Sequence, residues 1–383
     1  MTDAERLSAL PTPSLVLDER RMRRNTDRLR TRLAPFGVAL RPHLKTAKSV
    51  EVARRVLEEG TGPATVSTLK EAEVFAAAGI RDILYAVGIA PQKLDRVLAL
   101  RATGCGLSLI LDSREQAEAV AEASRRSGDA IPVLIEIDSD GHRGGVLPED
   151  PALIGIGRIL HESGATLRGV LTHAGESYGV AGDAAHAAFA ERERAAAVAA
   201  AEALRAAGLP CPVVSIGSTP TTHAARDLTG VTEVRAGVFV FFDLVMAGIG
   251  VCSIDDIALS VLTTVIGQQR QRGWILVDAG WMAMSRDRGT SSTAQSADQG
   301  YGLVCDIEGR VIGDLIVAAA NQEHGTVVLR PGSEGVLPDL PVGTRLRILP
   351  NHACATAAQY DGYAVLQADR DAPLAHWPRF GGW

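Results

Sequence analysis

From residue 37 to residue 235 the chain alternates short apolar runs with longer stretches of helical period. The runs at 37–41, 64–67, 82–86, 107–111, 131–137, 168–172, 212–216 and 231–235 have the length and composition of strands. Between them, Lys48–Glu59, Leu69–Ala78, Pro91–Ala102, Arg114–Arg126, Asp150–Glu162 and Asp183–Ala207 repeat apolar residues at helical spacing. Eight short strands, each followed by a helix or turn, predict an α/β fold of the (β/α)8 TIM-barrel type. An open doubly wound sheet is the competing architecture. Gly104-Cys105-Gly106 does not support it as a dinucleotide fingerprint, because it does not open a helix directly and the rest of the motif is missing.

The flanks read differently. A leading strand is predicted at 14–18, followed by a basic helix from about Glu19 to Leu33. After Ile257 the pattern becomes Leu259–Ile266, Trp274–Val277, Leu303–Asp306, Arg310–Val317, Thr326–Leu329, Arg345–Leu349 and Tyr363–Gln367, all short, β-branched and separated by Gly, Pro, Asp or Asn. That predicts a barrel over 11–257 and an all-β domain over 258–383, with the 14–18 strand free to join either. No amphipathic helix is expected in the β domain. Arg286 to Gly300 reads as a long loop, of the kind that is either functional or disordered.

Composition narrows the class of protein. The 383 residues carry a formal charge of −6 with no basic stripe, which excludes nucleic acid as an expected partner. Five cysteines, at 105, 211, 252, 305 and 354, are odd in number and lack C-x-x-C spacing, which fits a reducing compartment. Met1–Leu10 lacks the apolar core of a signal peptide, and no apolar run approaches membrane-spanning length. A cytoplasmic protein without a membrane partner is expected.

Candidate chemistry collects at the carboxyl ends of the predicted barrel strands, where this fold keeps its active sites. In Arg41-Pro42-His43-Leu44-Lys45-Thr46, proline stops the first strand at Arg41, a helix is expected to start near Thr46, and Lys45 is held on the turn between. We read Lys45 as an amine that carries a cofactor aldehyde, against the ordinary reading of a solvated surface lysine. The loops after strands 7 and 8 are the usual phosphate place, and Gly217, Ser218, Thr219 and Gly237 lie there. Helix capping by Ser218 or Thr219 would explain that turn equally well by itself. A phosphate anchor facing a lysine suggests pyridoxal 5'-phosphate. Arg143 could bond the cofactor's phenolic oxygen, Tyr178 could close over its ring, and His173 is either a base or a satisfied strand-end histidine.

Far along the chain, Pro350-Asn351-His352-Ala353-Cys354 offers a second constellation. If the strand at 345–349 continues to 354, His352 and Cys354 lie two apart on one face, as metal ligands would. A buried cysteine is commonly a small hydrophobe, so spacing alone leaves both readings open. Asn321-Gln322-Glu323-His324-Gly325 is a further polar cluster that could line the same cavity or orient the ligands.

Together, Pro11-Thr12-Pro13, Arg41–Thr46, Ser215–Pro220, Gln322–Gly325 and Pro350–Thr356 resemble the fold-type III pyridoxal enzymes, nearest to the zinc-dependent D-serine dehydratases. Relatives of that group include D-threonine aldolase and D-threo-3-hydroxyaspartate dehydratase. The resemblance runs from about Pro11 to Trp383. It implies an alanine racemase-like barrel with a β domain, a homodimer, Lys45 as the cofactor-bearing lysine, and a metal held by His352 and Cys354. Zinc is the implied ion, with manganese and magnesium as alternatives. Many aldolases of the group carry His-x-Asp there, so Cys354 favours a dehydratase.

The expected activity is therefore metal-assisted β-elimination of small D-3-hydroxy amino acids, with D-serine giving pyruvate and ammonia. D-threonine aldolase and D-threo-3-hydroxyaspartate dehydratase or aldolase are the alternatives. Arg286-Asp287-Arg288-Gly289 is more basic than serine alone requires, and an arginine there could meet a second carboxylate. A racemase needs no metal, and barrel-only pyridoxal-binding proteins lack a second domain, so both fit the chain less well.

Overall fold

The computed structural model describes residues 2–383. They form two compact units: Arg28–Gly237 with Gly382–Trp383, and the chain up to Asp27 with Val238–Gly381. Strands are numbered in chain order. β1 (Ser14–Asp18) belongs to the second unit. β2 (Ala39–Leu40), β3 (Ala64–Val66), β4 (Asp82–Gly88), β5 (Gly106–Leu111), β6 (Pro132–Ile137), β7 (Thr166–Thr172), β8 (Val213–Ile216) and β9 (Glu233–Val234) make the first.

These eight strands are parallel, in the order β2-β9-β8-β7-β6-β5-β4-β3. The sheet closes on itself just past β2. Thr65 N–H donates to Pro42 O at 2.9 Å and Leu44 N–H to Thr65 O at 2.8 Å, a bridge between His43 and Thr65. Leu84, Ile110, Leu134 and Leu171, one from each of four adjacent strands, form a buried cluster against which Ala86 and Val213 pack. Such layers of branched side chains fill a barrel of this size, so the interior is a core and chemistry is left to the rim. Helices pack between strands with ordinary end signals. The Thr68 hydroxyl accepts from Glu71 N–H at 3.1 Å, Ser113 from Gln116 N–H at 3.3 Å, and Gly128 ends the second of these helices at φ +71°.

The first barrel helix is shorter than its periodicity implies: it runs only over Val50–Val56, and nothing helical starts at Thr46. Lys48 is left-handed at φ +45° and Ser49 is extended, so a turn separates the lysine segment from the helix.

In the second unit, β1 is joined by β10 (Leu259–Gln269), β11 (Trp274–Val277), β12 (Gly302–Asp306), β13 (Val311–Ala320), β14 (Gly325–Leu329), β15 (Arg345–Pro350), β16 (Gly362–Leu366) and β17 (Ala375–Pro378). The order is β11-β14-β13-β12-β15-β10-β1-β16-β17, and β11 also pairs with β10, so six antiparallel strands close a second, smaller barrel. The leading strand β1 pairs with β10 and β16. Thr12 of the Pro-Thr-Pro motif donates to Asp278 at 2.5 Å, a structural role within this unit. Two sequence expectations give way here. Val238–Ile257, read as the end of the barrel, clusters with the β unit. Short helices at Trp281–Met284 and Ala353–Ala357 also occur where none was expected; each has only four or five residues, too few for a periodicity signal. Among the described residues, no helix is long and apolar enough to cross a membrane.

Gly169 shows how tightly the first barrel is drawn. It sits at φ +144° beside a register shift between β6 and β7, and a Cβ there would lie 1.9 Å from Val213 O on β8. Gly169→Ala is expected to cost roughly 2–4 kcal/mol through lost pairing and backbone strain. The urea midpoint of unfolding measures it.

Candidate active site

Lys45 is held by its neighbours. On one side of the lysine turn, Arg41 N–H donates to Val234 O at 2.9 Å and His43 N–H to Ala236 O at 2.7 Å; on the other lie the Thr65 bonds that close the barrel. Lys48 Nζ reaches Glu71 Oε1 at 3.1 Å, and that carboxylate is fully buried at the start of the next helix. The strained Lys48 backbone is thereby fixed from its own side chain. The chain has four lysines, at 45, 48, 70 and 93. Lys48 is tied to Glu71 and Lys93 donates to Tyr85 Oη at 3.1 Å, whereas Lys45 is exposed at the barrel rim.

Two imidazoles feel the Lys45 charge. Burial, reinforced by Lys45 and Arg235, holds His43 well below its ordinary range. Burial likewise pulls His173 down to about 3, against the hydrogen bond it makes to Gly217 O at 2.9 Å. Both rings are neutral at working pH. The His173 contact is to a carbonyl, so Nδ1 carries the proton and Nε2 is left as an acceptor. The ring is therefore satisfied at Nδ1 by the Gly217 carbonyl.

The Gly217–Thr219 turn is a cap as well as a candidate cradle. Ser218 Oγ accepts from Thr221 N–H at 3.2 Å and caps the helix Thr219–Ala224. Thr219 N–H points to Tyr178 Oη at 3.4 Å, and the Tyr178 and His173 ring centroids are 6.2 Å apart. Gly217 has φ +137°, and a Cβ would strike Arg235 O at 2.0 Å. A Cβ on Gly237 would press on His43 and Thr46 at 3.2–3.3 Å. The hydroxyls of Thr219 and Thr222 are buried without a hydrogen-bond partner. Unsatisfied buried hydroxyls beside glycine backbone suit an anion such as phosphate, so the residues present fit the group. Arg143 is less committed: its side chain is 61 % exposed and lies 3.9 Å from Glu136.

Two further residues, of which sequence pattern missed Glu193, organise this rim. Glu193, fully buried on the long alanine-rich helix Asp183–Ala206, accepts from Ala174 N–H at 2.9 Å, Gly217 N–H at 3.1 Å and Thr221 Oγ1 at 2.7 Å. It ties the loops after β7 and β8 together, and burial raises its carboxyl above the usual range despite those bonds. Its only sequence signal is an acid on the alanine face of a helix. Arg235 donates to Ser215 Oγ at 2.5 Å and Thr172 O at 2.6 Å; burial lowers it to about 10, opposed by Glu233, Glu193 and Glu136.

In the β unit, β15 ends at Pro350, so the expected continuous strand to 354 does not form. His352 is the N-cap of the helix Ala353–Ala357 and Cys354 lies in its first turn. The two side chains meet across a helix start instead of along a strand face. Asp243, buried, accepts from Met246 N–H at 3.0 Å and Ala353 N–H at 2.9 Å, capping two helices at once. Asp287 Oδ2 is 2.7 Å from His352 Nδ1, which fixes the orientation of the imidazole. Burial would lower the His352 imidazole, but bonds to Asp287 and Cys354 and the charge of Asp243 push it up to about 11. The bond from His352 in turn holds Asp287 below the usual carboxylate range. Asp287 and Asp243 thus favour positive charge at this place.

Among the described residues, no three His, Cys, Asp or Glu side chains converge as a metal cage. An imidazole and a thiol beside second-layer carboxylates fit a divalent ion that keeps positions for water or substrate. The 286–300 loop is clamped to this place. Asn351 accepts from Thr290 Oγ1 at 2.5 Å and donates to Gly300 O at 2.6 Å. The 321–324 turn is tied to the Trp281–Met284 helix: its residues are exposed, and Asn321 O and Gln322 O accept from Trp281 and Met282 N–H.

The sequence profile of the alanine racemase N-terminal domain matches residues 17–245, and that of the serine dehydratase domain matches 258–366. The chain is 57 % identical to D-threo-3-hydroxyaspartate dehydratase of Delftia sp. (strain HT23) over 98 % of its own length and 99 % of that protein's. A solved cysteine-to-alanine mutant of D-threo-3-hydroxyaspartate dehydratase, in the metal-free form, superposes with a TM-score of 0.94 at 56 % identity, covering 98 % of this chain and 99 % of that one. D-serine dehydratase of Dictyostelium discoideum is 27 % identical over 97 % of this chain and 98 % of that protein.

Glu193→Ala removes three hydrogen bonds from a buried carboxyl, and about 3 kcal/mol of stability is expected to go with them. Cofactor affinity, followed by absorbance titration, should fall as well. Glu193→Gln, which keeps an acceptor oxygen, should recover part of both.

Proposed function

Because the chain belongs to the fold-type III pyridoxal-phosphate family of D-3-hydroxy amino acid lyases, we propose that it removes water from D-threo-3-hydroxyaspartate. The products are then oxaloacetate and ammonia. Support comes above all from the 57 % identity spanning nearly the whole of both chains, against 27 % for a D-serine dehydratase. D-serine, put first in the sequence analysis, becomes a secondary substrate of the same elimination.

Lys45 is the residue we assign to carry the cofactor aldehyde and, once released by substrate, to take the Cα proton. Gly217, Ser218, Thr219, Tyr178 and Gly237 are assigned to the phosphate side of the cofactor, and His173 offers Nε2 as an acceptor near the lysine. Arg143 reaches the cofactor only if its exposed side chain turns inward on binding. His352 and Cys354 are assigned to the metal, with Asp287 fixing the imidazole tautomer and Asp243 fixing the helix start that carries the thiol. When bound, pyridoxal phosphate supplies an electron sink for Cα and the divalent ion a Lewis acid for the β-hydroxyl. Zinc suits a nitrogen-sulfur donor pair best. Assembly as a homodimer belongs to the same proposal, and light scattering at twice the chain mass checks it.

Incubation with D-threo-3-hydroxyaspartate, D-serine and D-threonine, with product identification, tests the reading. The 2-oxo acid and ammonia are expected, fastest from the dicarboxylate, and a chelator should abolish turnover. Glyoxylate and glycine from the dicarboxylate, or acetaldehyde from D-threonine as the main product, would favour an aldolase. Cys354→Ala should keep the visible absorbance of bound cofactor while losing at least about 100-fold in kcat, the scale of a lost Lewis acid. Full activity in that variant contradicts the metal assignment.

A further inference from the structure

Within the β unit, the segment Met284–Gly289 is fastened to the residues assigned to the metal. Thr356 Oγ1, on the helix that bears Cys354, donates to Met284 O at 2.8 Å. Asn351 Nδ2 donates to Asp287 O at 3.3 Å, and Asp287 holds His352 at 2.7 Å. Between these anchors Ser285 is buried at φ +76°, a conformation that L residues rarely adopt and that persists only where the surroundings enforce it. The segment is thus built to present something, and the residue between Ser285 and Asp287 is Arg286.

Its neighbour Arg288 is already committed, pairing with Asp298 at 2.9 Å and lying 5.0 Å over the Tyr301 ring. Arg286 is different. Its guanidinium carbon lies 4.2 Å from the Trp281 ring centroid, it is exposed, and among the described residues no carboxylate is within ion-pair distance. The cation–π contact holds the guanidinium in place, and its N–H groups suit a bidentate carboxylate.

Substrate chemistry says which carboxylate. A β-hydroxyl taken by a metal on His352 and Cys354 brings Cβ beside that metal. The other substituent on Cβ is hydrogen in D-serine and a carboxylate in 3-hydroxyaspartate. We propose that Arg286 binds this distal carboxylate and sets the preference for dicarboxylic over monocarboxylic D-3-hydroxy amino acids. The proposal rests on the lyase reading above and adds a specificity residue to it.

The test compares wild type, Arg286→Gln and Arg286→Lys as metal- and cofactor-loaded enzymes. For D-threo-3-hydroxyaspartate, kcat/KM should fall roughly 10- to 100-fold in Arg286→Gln, mostly through KM, as for loss of one charged hydrogen-bonding partner. For D-serine it should move by less than about threefold, and Arg286→Lys, with charge but no fork, should fall between. A second readout needs no turnover. D-aspartate and D-alanine lack the β-hydroxyl, and their dissociation constants can be read from the cofactor spectrum. Arg286→Gln should weaken D-aspartate binding and spare D-alanine. Equal losses for both substrates would assign Arg286 to the α-carboxylate or to the metal site and overturn the proposal, as would no loss for either. If neither hydroxy acid is dehydrated by wild type, the lyase reading fails, and the D-aspartate to D-alanine affinity ratio still decides the role of Arg286.

Discussion

The hydrogen bonds of residues 41–44 close the eight-stranded barrel, and the position of Lys45 depends on that closure. Arg41 and His43 bond to the β9 side, Pro42 and Leu44 to Thr65 on the β3 side. A parallel barrel has no free edge only if the two end strands of its order, here β2 and β3, meet, and they meet through four residues that include a proline. Proline lacks an N–H, so its carbonyl is its one ladder contact, and Thr65 takes it. Lys45 follows at once, in a turn whose far side is held by the Lys48–Glu71 pair. A fully buried carboxylate is tolerated there because Ser67 N–H, Thr68 Oγ1 and Lys48 Nζ all donate to it. Fold stability and the placing of one amine are, at this point, the same set of bonds.

The β unit solves a related problem with different means. Its six-stranded closure delivers β15 to Pro350, after which polar side chains take over from the sheet. Buried Asp243 fixes the helix start, buried Asn351 clamps the 286–300 loop and half-buried Asp287 orients the imidazole. Each is partnered, and each sits within one contact of His352 or Cys354. The charges around His352 favour a cation strongly enough to overcome its burial.

Sequence pattern revealed the strands well because both barrels bury short β-branched runs between Gly, Pro and Asp. Lys45 was legible because a proline and a strand end fix its place. The geometric reason for pairing His352 with Cys354 does not hold: they share a helix start, not a strand face, and a helix of five residues leaves no periodicity to read. Glu193 and Asp287 stayed hidden because their partners lie 19 to 28 and 65 residues away, and no local rule joins an acid on an alanine-rich helix to a glycine turn. The boundary at 257 was placed where the pattern changes to strands, yet the turns and short helices from Val238 onward already cluster with the β unit. Side-chain preference was legible only as a hint, the basic run Arg286-Asp287-Arg288. D-serine was the natural first reading of the motifs, and whole-chain similarity moved the weight to a dicarboxylate.

The account stands on Lys45 as the cofactor-bearing residue, and the chain offers only three other lysines. Borohydride reduction of the loaded enzyme fixes the cofactor to its amine, and peptide mass spectrometry then locates it. The account predicts a single pyridoxyl adduct on Lys45. An adduct on Lys48, Lys70 or Lys93 instead, or none from a protein that keeps its activity, would contradict it.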